Sequence, residues 1–200
     1  MAEIVVLVAH PELEHSRVNR RLMEAAARAA PGRVEVRDLY ALYPDFFIDG
    51  QAEQAALAPA RLVVWQHPLH WYGMPPLMKL WLDEVFGFGW AYGPGGRALA
   101  GKDLWLVTST GGPESSYRPD SYNRYFFDAF LPPYEQTAAL AGLRFLPPLV
   151  LHGAHRTSSP EVEEHANVYA QRLAAYPDWP EIAELARAEP CPVPGGDRPD

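Results

Sequence analysis

The chain has 200 residues, 48% hydrophobic and 21% charged, the balance of a folded globular protein rather than of a disordered or membrane-embedded one. A formal net charge of -8 leaves no basic surplus to neutralise phosphates, which argues against nonspecific nucleic-acid binding. The only cysteine, Cys191, excludes an internal disulfide and a cysteine-based metal cluster, so redox chemistry here needs a cofactor.

The apolar run at 4–9 reads as a first strand. It is far too short to cross a bilayer, and Glu3 spoils the basic leader of a signal peptide, so a cytoplasmic protein is expected. The next loop carries His10, Pro11, Ser16, Arg17, Val18 and Asn19 and runs into a helix with Val18, Leu22, Met23 and Ala26 on one stripe. Ser16 can cap that helix, and the free N–H groups of the first turn can hold a phosphate. The competing reading is a cap and a turn with no ligand. Neither G-x-x-x-x-G-K-[ST] nor G-x-G-x-x-G occurs, which disfavours a P-loop enzyme and a dinucleotide Rossmann site.

Residues 34–36 are a plausible second strand, and 62–66 a further one buried on both faces. After it come Pro68, Leu69, His70, Trp71, Tyr72, Gly73, Met74, Pro75 and Pro76. That aromatic stretch either forms a flat wall against a planar ring or packs as core or interface. Pro75 or Pro76 suits the first turn of a helix whose stripe is Leu77, Leu80, Trp81 and Val85. Asp83 and Glu84 on it read as a solvated face.

The strand at 104–108 leads into Ser109, Thr110, Gly111 and Gly112. Glycines there let backbone N–H groups approach a ring's polar edge; a plain tight turn is the alternative. A last apolar strand at 149–152, again expected to be buried on both faces, precedes a helix with Val162, Ala166, Tyr169 and Leu173. Two start signals compete for that helix: Ser158 with Glu161 as a capping box, or Ser159 capping with Pro160 first. His67, His70, His152, His155 and His165 show no metal-ligand spacing, and no G-x-S-x-G elbow supports a serine hydrolase.

Strands alternating with helices imply an α/β domain with a doubly wound, five-stranded parallel sheet and helices on both faces. Its ligand should sit beyond the carboxyl ends of the strands, where the three loops emerge. The domain is expected to span 1–188, and the Pro- and Gly-rich tail at 189–200 to be poorly ordered and without catalytic duty.

The segments 9–11 with Ser16-x-x-Asn19, 38–46, 66–72, 79–83, 89–93, 110–112 and 146–148 stand in an order that resembles the NAD(P)H quinone oxidoreductase family. Its bacterial branch includes the ancillary proteins of glutathione-regulated potassium-efflux systems. The resemblance implies a flavodoxin-like fold, and a homodimer with flavin sites at the subunit interface. It implies FMN, with FAD as the alternative, reduced by NADPH or NADH and reoxidised by a quinone in alternating two-electron steps. Carried over by position, His10 and Ser16, Arg17, Val18 and Asn19 hold the flavin phosphate. Pro68, Leu69, His70, Trp71 and Tyr72 border the ring, and Ser109, Thr110, Gly111 and Gly112 line its polar edge. Trp90 and Tyr92 look like the wall of the substrate pocket contributed across the subunits, and Tyr117 matches a tyrosine near hydride transfer. Better-known members pair that tyrosine with a histidine where this chain has Asn123, which puts a relay through those two side chains in doubt. The resemblance also leaves room for docking at the inner face of the membrane on a potassium-efflux transporter, and for azo- or nitro-compound reduction in the same pocket.

Overall fold

The computed structural model describes residues 2–185 of the chain; the tail expected from Glu189 onward, with Cys191, lies outside the described residues. Five strands, β1 (Ile4–Val8), β2 (Val34–Asp38), β3 (Leu62–Pro68), β4 (Asp103–Ser109) and β5 (Arg144–Leu151), form one sheet in the order β2-β1-β3-β4-β5. All four pairings are parallel. Because the chain steps from β1 to β2 on one side and later returns to place β3 on the other, β1 and β3 flank the point where the winding reverses.

Every residue of β1, β3 and β4 is buried. Their near-continuous apolar sequences follow from having a helical layer on each face. Alternation then sorts the side chains. Val5, Leu7, Val63, Trp65, Leu104 and Leu106 enter one core. Ile4, Val6, Val8, Leu62, Val64, Trp105 and Val107 enter the other. Each fully buried Leu or Val contributes on the order of 1.5–3 kcal/mol by leaving water.

The helices are α1 (Arg17–Ala29), α2 (Leu39–Leu42), α3 (Gly50–Leu57), α4 (Pro76–Val85), α5 (Pro132–Ala141), α6 (Ser159–Ala175) and α7 (Pro180–Glu184). The stripe of α1 is Val18, Leu22, Ala25 and Ala26, packed against α6 through Val162, Ala166, Tyr169 and Leu173. Met23 and Leu80 flank the buried faces as partly buried residues. Pro76 is the proline in the first turn of α4. Ser158 wins the competition at α6: its Oγ and backbone N–H engage Glu161 in a reciprocal capping box, with Pro160 one place further into the helix.

β5 departs from expectation in two ways. It begins at Arg144 rather than 149, because Pro147 and Pro148 interrupt its apolar pattern. Prolines are tolerated there because β5 is an edge strand, where a missing N–H costs no ladder bond, and the β4–β5 register shifts between Trp105 and Val107. The Trp105 indole N–H donates to Pro147 O at 3.0 Å. The edge position also leaves only Leu146 and Leu151 of β5 fully buried, so this strand is not covered on both faces as β1, β3 and β4 are.

One carboxylate lies inside the first core. Glu53, on α3, has no exposed surface. It accepts from Arg37 Nε at 3.1 Å and Nη2 at 2.5 Å, from Trp81 Nε1 at 2.9 Å, and from the Tyr43 hydroxyl. It thereby ties β2, α3, α4 and the segment after α2 together. Burial and the neighbouring carboxylate push the Tyr43 phenol up to about 12.

Candidate functional site

The loops after β1, β3 and β4 and the turn after β5 converge on a cleft of about 430 Å³ at the carboxyl edge of the sheet. Its floor is the first turn of α1. Ser16 Oγ accepts from Asn19 N at 3.0 Å, and the N–H groups of Arg17 and Val18 have no partner among the described residues. Unpaired amides and the positive end of a 13-residue helix make an anion seat. Arg17 reaches over to the carbonyl of Thr157 and joins this loop to the start of α6.

Asn19 is buried beneath that seat, 2% exposed. Its Nδ2 donates to Ser109 Oγ at 3.0 Å and its backbone carbonyl accepts from Gln66 Nε2 at 2.9 Å, whereas Oδ1 has no partner among the described residues. An orphaned polar atom on a residue that lines the cleft fits a bound polar group better than an empty turn. Turning the amide over would give the same Ser109 hydroxyl an acceptor and present the N–H groups to an anion. His10 accepts from Glu12 N at Nδ1 over 3.1 Å, which leaves Nε2 as the hydrogen-bearing nitrogen of its neutral ring. Burial, and then His70, lower its pKa, so the ring is a neutral donor at pH 7.

On the opposite side, Pro68, Leu69 and His70 line the cleft, and the His10 and His70 rings meet edge to face at 6.1 Å. Trp71 and Tyr72 do not line it. They form a two-residue turn closed by paired His70–Gly73 hydrogen bonds of 3.0 Å, at φ of 47° and 65°. Such turns favour Asn and Gly, so two bulky side chains there store strain, which concentrates at functional sites. Trp71 is 94% exposed, and Tyr72 stacks on Phe130 at 5.1 Å.

Ser109, Thr110 and Gly111 form the third wall. Thr110 N donates to Leu151 O at 3.0 Å and is not free, whereas the N–H groups of Gly111 and Gly112 have no partner among the described residues. A Cβ on Gly111 would stand 3.1 Å from His155 Nε2, and one on Gly112 would collide with the Tyr122 hydroxyl at 2.4 Å. Gly112 is thus fixed by packing and sits behind the cleft wall. Gly111, Ala154 and His155 close that end of the cleft; the last two fall in the segment from Gly153 onward that the strand-end rule marks, though no feature of the sequence singles them out as site residues.

Four expected residues lie elsewhere in the single chain. Trp90 packs partly buried against the first core, and Tyr92 lines a smaller cavity with Phe86 and Leu140. Tyr117, 7% exposed, contacts the His152 ring at 5.4 Å and lines a second cavity. Burial raises its pKa. Asn123 is held by Ser116, to whose Oγ its Nδ2 donates at 2.8 Å, and its Oδ1 lies 3.4 Å from the Tyr72 hydroxyl. Among the described residues no helix is long and apolar enough to cross a membrane.

A parallel sheet in this order, with an anion seat at the first helix and two further loops facing it, defines a flavodoxin-like protein. A family model described as flavodoxin-like fold matches residues 2–173, and the chain belongs to that family. The glutathione-regulated potassium-efflux system ancillary protein KefF of Citrobacter koseri is 47% identical over 173 residues, 86% of this chain and 96% of that one. Among solved structures, general stress protein 14 of Treponema denticola in complex with FMN superposes with a TM-score of 0.81 at 37% identity, covering 86% of this chain and 98% of that one. An NADPH-quinone reductase from P. pentosaceus gives 0.75 at 26%, covering 86% and 96%. A chain described as a thermophilic tryptophan halogenase from Streptomycin violaceusniger gives 0.79 at 41%, covering 82% and 95%. Names as different as these on such similar chains make the reaction a matter for the site.

Proposed function

We propose that this protein is an FMN-dependent oxidoreductase that takes a hydride from NADPH or NADH and delivers it to a quinone. The observation that carries the reading is the convergence of three strand-end loops on one cleft whose floor is an unpaired helix N-terminus over an orphaned Asn19 Oδ1. FMN, when bound, supplies a flat ring that accepts and returns a hydride. The chain's own part is binding and orientation. The N–H groups of Arg17 and Val18, with Ser16, Asn19 and His10, hold the phosphate. Pro68, Leu69 and His70 border one side of the ring, and the Gly111 N–H group stabilises charge at its polar edge. Tyr117 and Asn123 stand at the acceptor's end, with Gly112 holding their loop in place.

The FMN complex of general stress protein 14 supports the cofactor, and the P. pentosaceus reductase supports the donor and acceptor. The exposed Trp71, with the exposed Tyr72 and Tyr125 that pack on Phe130, favours a homodimer that covers them, and it is in such a dimer that Trp90 and Tyr92 would serve a partner's pocket. A second role, as an ancillary subunit of a potassium-efflux transporter at the inner face of the membrane, is favoured by the 47% identity to KefF and is compatible with the first. The test is anaerobic: FMN-loaded protein should bleach on adding NADPH or NADH and regain its colour with one equivalent of quinone. Colour that persists under both nicotinamides would overturn the proposal.

A further inference from the structure

The cofactor cleft and the second cavity meet at one hydrogen bond. Thr110 lines the cleft, whereas His152, at the end of β5, lines a cavity of about 560 Å³ with Tyr117, and Thr110 Oγ1 lies 3.0 Å from His152 Nδ1. Proton accounting at Thr110 fixes the imidazole. Thr110 Oγ1 is also 2.8 Å from Gly112 O, and a carbonyl only accepts, so the single hydroxyl hydrogen is committed there. Towards His152 the hydroxyl oxygen must therefore accept, which puts the ring's hydrogen on Nδ1 and leaves Nε2 as the nitrogen that gains or loses a proton. Phe127, edge-on at 5.2 Å, and Tyr117 hold the ring in place.

We propose that His152 is the charge-compensating group of this site, taking up one proton from solvent at Nε2 when the cofactor in the cleft is reduced and giving it up on reoxidation. The inference rests on the flavin reading above. The balance closes: a hydride from NAD(P)H brings one negative charge into the cleft, and the proton at Nε2 brings one positive charge behind Thr110. When a quinone takes the hydride, that proton leaves with it, so that quinone, NAD(P)H and one proton become hydroquinone and NAD(P)+. Burial holds His152 below the ordinary imidazole pKa, with Glu114 opposing, so the ring is neutral before reduction at pH 7. The charged and titratable groups facing it are Glu114, Tyr117, Arg118, Asp120 and Asp128, all lining the second cavity. Asn123, tied to Ser116, has no proton to exchange in this range.

His152 is a positioning residue that acts through Thr110, so the test reads potential rather than rate. The midpoint potential of FMN-loaded protein is measured from pH 5.5 to 8.5 for wild type and His152→Gln. An added proton per two electrons makes the wild-type potential fall by about 30 mV more per pH unit, the tenfold step for a two-electron couple, in the window between the oxidised- and reduced-state pKa values. The variant should lose that excess slope while binding FMN within about threefold of wild type, since Nδ1 touches Thr110 and not the phosphate seat. Equal slopes overturn the proposal. A wild type that takes up no flavin overturns the functional reading and this inference together. If the variant does not fold, 15N shifts of the wild-type ring decide: hydrogen on Nδ1 when oxidised and on both nitrogens when reduced supports the proposal, and a ring that stays neutral on reduction overturns it.

Discussion

Asn19→Asp should fold as wild type does and bind FMN about a hundredfold more weakly. The change is isosteric, and the residue sits at the third position of α1, where a carboxylate favours the helix by about 0.3–1 kcal/mol through the dipole. The new carboxylate can still accept from Ser109 Oγ, and it belongs to a residue that lines the cleft directly beneath the seat. Two unit charges on the order of 5 Å apart in a partly solvated site repel by about 3 kcal/mol, which is the stated factor. Burial raises a carboxyl's pKa, so the defect should shrink below about pH 5 as the new group protonates. Equilibrium binding followed by flavin fluorescence checks both; an affinity unchanged from wild type would show that the phosphate sits elsewhere.

The second large effect is on stability. Glu53→Ala should cost about 3–5 kcal/mol, because it leaves a 17%-exposed Arg37, the Tyr43 hydroxyl and the Trp81 N–H without their shared acceptor. For a chain of this size that corresponds to a thermal midpoint roughly 10 °C lower. Removing the stranded cation as well, in Glu53→Ala with Arg37→Met, should recover at least about 1 kcal/mol. Urea denaturation of the three proteins measures this; a double variant no more stable than the single one would mean that the buried charge is not the cause.

Glu53 also shows where sequence reasoning runs out. A glutamate in a short helix reads as a solvated face, so α3 left no legible stripe: its buried residues are Glu53 and Leu57. In α5 the buried positions are Tyr134, Ala138 and Ala141, and alanines mark an apolar face only faintly. Where burial is complete and the residues are large, as in β1, β3, β4 and the α1–α6 pair, pattern and structure agree, because one physical demand writes both. β5 was half-hidden by two prolines that only an edge position permits.

The candidate site divides along the same line. Ser16, Asn19, Leu69, His70, Thr110 and Gly111 were legible because they follow strands in sequence, and they do line one cleft. Trp71 drew attention as an aromatic in that loop, yet a left-handed turn points it to solvent. His152 and His155 lacked any recognisable spacing, since they gain partners only through contacts with β4's loop, 42 residues away in the case of Thr110 and His152. Periodicity carries no record of such pairings.

A phosphate seated at the N-terminus of α1 is the contact on which the proposed electron transfer depends. Its most direct test compares FMN with riboflavin, which has the same ring and no phosphate, by equilibrium binding to the purified apoprotein. Charge-assisted hydrogen bonds contribute about 1.5–3 kcal/mol each, so two of them at the seat predict that FMN binds at least about a hundredfold more tightly. Equal affinities for the two flavins would contradict the account at its root.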